Sequence, residues 1–94
     1  MAAITLFEHH SYKGQNLTLV GDNSYLGSNG FNDKVSSLVV AKGTWTVYEH
    51  HSFRGRSATV SSTGGPNGDG RYPYWQDFGF PNDVMSSVKL DSEE

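Results

Sequence analysis

The chain has 94 residues, the length of one small domain, and seven basic against ten acidic residues give a formal net charge of −3. No basic block is present, so nucleic acid is not an expected partner, and the absence of cysteine excludes disulfides and thiolate zinc sites. No segment has the apolar length of a signal peptide or membrane span, so we expect no membrane partner and, if the chain is complete, a cytoplasmic location.

The first part of the chain predicts two strands joined by a tight turn. Ile4 and Leu6 alternate with other residues in a period of two, and Leu17 and Leu19 do the same. Between them lies the segment FEHHSYKG, Phe7–Gly14, in which glycine allows the chain to reverse direction. These residues predict an antiparallel hairpin.

The chain then passes through an irregular segment to a third apolar alternation. The segment NSYLGS, residues 23–28, is expected to contain at most one short helical turn, and Leu38 and Val40 predict the next strand. The motif NDKVSS, residues 32–37, lies between these two features.

The second half of the chain repeats this order. Tyr48–Gly55, YEHHSFRG, matches Phe7–Gly14 by identity or close substitution at every position, and NDVMSS, residues 82–87, matches NDKVSS. A glycine-rich insertion separates the two motifs, and a second short helical turn is expected within YPYWQDFG, residues 72–79. The counterpart strands are marked by the alternating pairs Trp45 and Val47, Ala58 and Val60, and Val88 and Leu90.

Eleven glycines, many short strands of period two and no helical apolar stripe predict an all-β, antiparallel two-sheet sandwich. Each repeat, residues 1–43 and 44–94, is too small to bury a core alone. We therefore expect the two to pack face to face as a single domain, and we expect a monomer.

The repeated Asn-Asp-x-x-Ser-Ser motif presents amide, carboxylate and hydroxyl oxygens, which are the donors that calcium selects. A single copy is more typical of an Asx-turn followed by a hydroxyl-capped strand start. Two matching copies favour calcium. One motif cannot supply six to eight ligands, so each site needs donors from elsewhere in the chain.

The aromatic-x6-glycine hairpins, Phe7–Gly14 and Tyr48–Gly55, each followed by Asn-Asp-x-x-Ser-Ser, resemble the paired Greek-key motifs of the βγ-crystallin superfamily, in particular its calcium-binding microbial and lower-eukaryote members. The resemblance covers nearly the whole chain. It implies a Greek-key sandwich of two four-stranded sheets, in which each motif lends its third strand to the other sheet.

The same resemblance implies two calcium ions held by crossed ligands. Ser36 and the carbonyl of Lys34 would join Asp83 in one site, with the Lys34 ammonium in solvent. In the other site, Ser86 and the carbonyl of Val84 would join Asp33. The residues that fall where the hairpin carbonyl ligand belongs are Glu8 and Glu49.

The four histidines form the main rival to this interpretation. Because His9 and His10 recur as His50 and His51 at the same place in both turns, without cysteine or clustered carboxylates, we interpret them as turn residues rather than a transition-metal site. No serine lies in a Gly-x-Ser-x-Gly elbow, so we expect no enzyme and no catalytic residues.

The insertion offers the second hypothesis, a protein- or carbohydrate-binding module acting through residues 63–80. Its GGPNGDG segment lacks the Gly-Lys-Ser/Thr of a phosphate loop and the carboxylates of an EF-hand, so we expect a mobile surface loop. Its aromatic residues are more typical of core and loop packing than of a sugar platform. They are Tyr72, Tyr74, Trp75, Phe78 and Phe80.

Overall fold

Seven strands form two antiparallel sheets in the computed structural model, which describes residues 1–31, 34–80 and 85–93. The alternating residues of each repeat lie on strands, as their period of two predicts. The strands are β1 (Ala3–His9), β2 (Lys13–Leu19), β3 (Ser37–Lys42), β4 (Thr44–His50), β5 (Arg54–Ser61), β6 (Arg71–Tyr72) and β7 (Ser87–Ser92).

The two halves of the chain exchange segments between the sheets. One sheet has the order β2-β1-β3-β6 and the other β5-β4-β7. The short strand β6 belongs to the second half but pairs with β3 of the first, with Leu38 opposite Tyr72. In return, Asn23 of the first half forms a bridge with Val88 on β7. The all-β sandwich prediction is therefore confirmed.

The expectation of two four-stranded sheets is wrong in one detail. Within the described ranges the second sheet has three strands, and the place of the fourth is taken by the single bridge between Asn23 and Val88. The ladder stops after that pair because the Asp22 side chain, rather than a backbone carbonyl, accepts the N–H of Leu90 at 2.7 Å. The second half of the chain, which contains the insertion, supplies the two-residue strand β6 as the fourth strand of the first sheet.

The space between the sheets is filled by the inward residues of both repeats. Ile4 and Leu6 on β1 are fully buried, as are Trp45 and Val47 at the equivalent places on β4. The edge strands β2 and β5 cover the core less completely, because Leu17, Leu19 and Ala58 are only partly buried. Burying such side chains stabilises the fold by about 1.5–3 kcal/mol each.

Short 3₁₀ turns lie in both segments where they were predicted. Leu26–Asn29 forms one and Trp75–Phe78 the other, and each ends at a glycine of positive φ, Gly30 or Gly79. A third 3₁₀ turn, His10–Tyr12, lies at the tip of the first hairpin. None of the helical segments described is long and apolar enough to cross a membrane.

The glycine-rich insertion lies at the surface, as predicted, but hydrogen bonds hold its ends. Pro66–Asp69 are exposed. Gly70 donates to the Gly64 carbonyl at 2.9 Å and accepts the N–H of Val40 at 2.7 Å, which fastens the insertion to β3. Its three buried aromatic residues, as predicted, join the core: Tyr72, Phe78 and Phe80.

Tyr74 packs in a loop rather than in the core. Its side chain is 45% exposed and stacks on the His10 ring, while Trp75 packs partly against the core.

Candidate functional site

Each hairpin contains a β-bulge at its glutamate. The pairing of β1 with β2 shifts register between Phe7 and His9, and Glu8 has no partner in the registers of β1 with either β2 or β3. Glu49 takes the same place on β4, where the register shifts between Tyr48 and His50. A bulge leaves its extra residue outside the regular ladder.

The fifth residue of each Asn-Asp-x-x-Ser-Ser motif lies directly beside the bulge of its own repeat. The N–H of Ser36 donates to the carbonyl of Phe7 at 3.0 Å, and the N–H of Ser86 donates to the carbonyl of Tyr48 at 2.9 Å. Both serines are buried, with 7% of their surface exposed. The structure therefore brings Ser36 next to Glu8 and, at the equivalent place, Ser86 next to Glu49.

The remaining predicted ligands are only partly covered by the description. Lys34 is exposed, in keeping with an ammonium in solvent, and its N–H donates to the Phe31 carbonyl at 3.3 Å. Asp33, Asp83 and Val84 lie outside the described residues. The crossed assignment of these acids to the two sites stays a prediction.

The glutamate side chains interact within their own hairpins. Glu8 Oε1 lies 3.5 Å from His9 Nε2 and accepts the N–H of Gln15 at 3.4 Å. Glu49 Oε1 lies 3.5 Å from His50 Nε2. Because the carboxylates face their own turns, the backbone carbonyls are the groups that these residues can offer to an ion between hairpin and loop.

The outer histidine of each pair packs on a tyrosine from the other half of the chain. His10 stacks on Tyr74 with ring centroids 5.4 Å apart, and His51 contacts Tyr25 edge-on at 6.1 Å. Across the described ranges, no group of three or more His, Cys, Asp or Glu side chains is placed to hold a metal ion. His10 and His51 lie in the turns, as predicted, whereas His9 and His50 are the last residues of β1 and β4.

Sequence reasoning missed the role of the sixth motif residue. Ser37 Oγ donates to the His9 carbonyl at 2.6 Å and accepts the N–H of Tyr12 at 3.0 Å. Ser87 does the same in the second hairpin, with the His50 carbonyl at 2.6 Å and the Phe53 N–H at 3.1 Å. The signal present in the sequence was the repeated Ser-Ser pair, in which the two serines have different roles.

Each hairpin tip is also fastened to the opposite half of the chain. The N–H of Ser11 donates to the Pro73 carbonyl at 2.8 Å, and the N–H of Ser52 donates to the Ser24 carbonyl at 2.7 Å. These contacts hold each bulge in a fixed position relative to the segment that precedes the 3₁₀ turn of the other repeat.

The residues that come together here carry donor atoms of the chemical type that calcium binds. In each half the backbone of a motif serine is hydrogen bonded to the residue before the bulge, and hydroxyl and carbonyl oxygens are donors that calcium prefers, at about 2.3–2.6 Å. Two such residues supply too few donors for six to eight positions, so a complete site would also need the predicted ligands that lie outside the described residues.

Comparison with known proteins agrees with this architecture. Residues 3–90 match the family model for Beta/Gamma crystallin. A beta/gamma-crystallin of Ciona intestinalis is 38% identical over 89 residues, which cover 95% of this chain and 98% of the relative.

Solved structures extend the similarity to the fold. A beta gamma crystallin from Ciona intestinalis superposes with a TM-score of 0.86 at 37% identity, covering 95% of this chain and 99% of the other. A betagamma-crystallin from an archaeon gives 0.83 at 29% identity, covering 96% and 98%. A betagamma-crystallin domain from Clostridium beijerinckii, solved as a double mutant, gives 0.72 at 31% identity, covering 94% of each chain. The chain belongs to the beta/gamma crystallin family.

Proposed function

We propose that this domain binds two calcium ions and that binding stabilises its fold. The observation that carries the proposal is the contact of each motif serine with its hairpin bulge, Ser36 with the β1 bulge and Ser86 with the β4 bulge. The same geometry occurs twice, on two segments that share the Asn-Asp-x-x-Ser-Ser pattern.

Each site would join three parts of the chain. The bulge carbonyl comes from the hairpin, the hydroxyl and a second carbonyl come from the motif that follows it, and the carboxylate comes from the other repeat. A bound calcium ion supplies the divalent charge that holds these oxygens together. The chain's own contribution is to hold the serine and the bulge close before any ion arrives, through the backbone hydrogen bonds at 3.0 and 2.9 Å.

With one carboxylate per site, the affinity is expected to be moderate, on the order of 10⁻⁶ to 10⁻⁴ M. Calcium at 100 times its dissociation constant would add about 2.7 kcal/mol per independent site. For a domain of 94 residues this is a large fraction of the total stability. We therefore propose a non-enzymatic structural or stress-related role, with weak calcium buffering as a consequence.

Paired substitutions test the crossed assignment. Asp33→Ala and Asp83→Ala should each abolish one of two sites, and Ser36→Ala should weaken one site while leaving the other intact. Ser57→Ala, on the exposed edge strand β5, is the matched control and should leave both unchanged. If either aspartate variant still binds two ions with unchanged affinity, the assignment is wrong.

A further inference from the structure

One surface of the molecule carries charged groups whose hydrogen-bonding capacity the fold uses only in part. It is formed by the first hairpin tip and the segment 69–77, and we call it the Tyr12 surface, after its central residue. The N–H of Ser11 donates to the Pro73 carbonyl, and the His10 ring stacks on Tyr74 at an interplanar angle of 21°. These contacts join two segments that are far apart in sequence. The residues of the Tyr12 surface are Tyr12, Asp69, Arg71, Tyr74 and Asp77.

Three charges act on the phenol at the centre of this surface. Burial raises the pKa of Tyr12, and the negative charge of Asp69 raises that pKa further. Arg71 lowers the pKa and Asp77 raises it. The hydrogen bond from the Ser11 N–H to the Pro73 carbonyl places the segment that carries these three charges beside the hairpin tip that carries Tyr12.

Much of the hydrogen-bonding capacity of these groups is unused. Asp69 Oδ1 accepts the N–H of Arg71 at 3.2 Å, and Asp77 Oδ2 accepts the N–H of Tyr74 at 3.1 Å. Throughout the part of the chain that the structure describes, no donor reaches the second oxygen of either carboxylate, and the Arg71 guanidinium forms no ion pair. All three side chains are exposed and available to a ligand.

The other repeat shows which of these residues the fold requires. Tyr25 precedes the Leu26–Asn29 turn as Tyr74 precedes the Trp75–Phe78 turn, and both tyrosines pack on a hairpin histidine. Phe53 stands where the first hairpin has Tyr12, with the same positive φ and the same edge-on packing on an aromatic residue. The phenol oxygen is therefore dispensable for the turn.

The charges of the Tyr12 surface are likewise absent from the second copy. Counted back from each tyrosine, Asp69 corresponds to Val20, which is 57% exposed, and Arg71 corresponds to Asp22. Asp22 is used in the fold, because it accepts the N–H of Leu90. The same backbone frame thus forms without the phenol of Tyr12 and without the charges at positions 69 and 71.

The mixture of charges selects the class of ligand. Two carboxylates oppose an anion such as a phosphate, and the guanidinium opposes a metal ion or an ammonium group. Carboxylates accept hydrogen bonds and guanidinium donates them, so the set matches hydroxyl groups, which do both. The exposed Tyr74 ring adds an apolar face of the size of a sugar ring.

We propose that the Tyr12 surface binds a neutral oligosaccharide. The Tyr74 ring packs against the apolar face of one sugar ring, while Asp69, Arg71 and Asp77 hydrogen bond to its hydroxyls. The Tyr12 phenol, on the adjoining hairpin tip, adds one further hydroxyl partner. This binding does not depend on the proposed calcium function, because none of these residues is a predicted calcium ligand.

The test is an NMR titration of isotope-labelled protein with cellohexaose, laminarihexaose and chitohexaose, each with calcium and with chelator. At sugar concentrations up to about 10 mM, which covers weak millimolar affinity, one of these sugars should cause saturable shifts in residues 10–12 and 69–77. Residues 51–53 and 20–25, the equivalent surface, should not shift. Absence of saturable shifts with all three sugars overturns the proposal, as does binding confined to the equivalent surface.

Matched variants make the test specific. Tyr12→Phe copies the residue at position 53 and should weaken binding about three- to tenfold by loss of one hydrogen-bonding group. Tyr74→Ala should weaken binding by a similar factor through loss of stacking, whereas Tyr25→Ala should have no effect. Asp69→Asn keeps the acceptor for the Arg71 N–H and tests the charge alone. Equal effects of Tyr74→Ala and Tyr25→Ala would contradict the assignment.

Discussion

Ser37 and His9, 28 residues apart, are joined by a hydrogen bond of 2.6 Å from the serine hydroxyl to the histidine carbonyl. The same hydroxyl oxygen accepts the N–H of Tyr12, so one side chain satisfies two backbone groups of the hairpin tip. Ser37 is completely buried at the start of β3. The first hairpin is therefore held in its bent conformation from the next strand, and the bulge that carries Glu8 is held with it.

Removing this hydroxyl should destabilise the domain. Ser37→Ala leaves the His9 carbonyl and the Tyr12 N–H without their partner, and an unsatisfied buried group costs about 1–3 kcal/mol. Ser87→Ala should have a similar effect, because Ser87 makes the equivalent bonds. Urea unfolding of both variants measures the loss. Ser57→Ala is the control. A Ser37→Ala variant as stable as this control would show that water replaces the hydrogen bonds of the Ser37 hydroxyl.

The insertion should tolerate alanine at one glycine and not at another. Gly68 and Gly70 both have positive φ, so either substitution costs roughly 1 kcal/mol from the backbone conformation. A Cβ at Gly70 would clash with the Val40 carbonyl oxygen and lie 2.9 Å from that of Ser62, whereas at Gly68 the nearest atom is 3.6 Å away. Gly70→Ala should therefore lower the melting temperature clearly more than Gly68→Ala. Equal melting temperatures would mean that the insertion is not fastened to β3.

The Tyr12 phenol should titrate late. Burial and the charge of Asp69 raise its pKa above the ordinary value of 10.0. The stability that this proton provides is fully present below pH 10 and is lost as pH rises through the raised pKa. Ultraviolet absorbance should show a late ionisation step that Tyr12→Phe removes. Tyr25→Phe, which also deletes one phenol, should retain that step. If the late step disappears in this variant, the step does not belong to Tyr12.

The strands and core were predictable because burial of one sheet face imposes a period of two. Ile4 and Leu6, with their counterparts Trp45 and Val47, alternate in the sequence and are buried in the structure. The short turns before Gly30 and Gly79 were also predictable, since glycine there accommodates a positive φ. Local patterns carried this information without knowledge of the tertiary contacts.

The hydrogen bonds from Ser37 to the hairpin tip and the Tyr12 surface were not predictable, because each depends on contacts between distant segments. The hydrogen bond that joins Ser11 to Pro73, and with it the hairpin tip to the segment 69–77, accompanies the exchange of β6 between the halves, and no periodicity in the sequence marks it. The single bridge at Asn23 was not predictable either, since it depends on which oxygen accepts the N–H of Leu90. For the candidate calcium site, the contact of Ser36 with the Glu8 bulge is structural, while the ligand set as a whole stays a prediction.

Calorimetric titration of decalcified protein with calcium tests the central claim most directly. Two ions per chain should bind, with dissociation constants on the order of 10⁻⁶ to 10⁻⁴ M. In a parallel melting experiment, saturating calcium should raise the melting temperature, because an ion that binds only the folded state stabilises it. Absence of binding heat together with an unchanged melting temperature at millimolar calcium would contradict the proposal that this domain is stabilised by calcium.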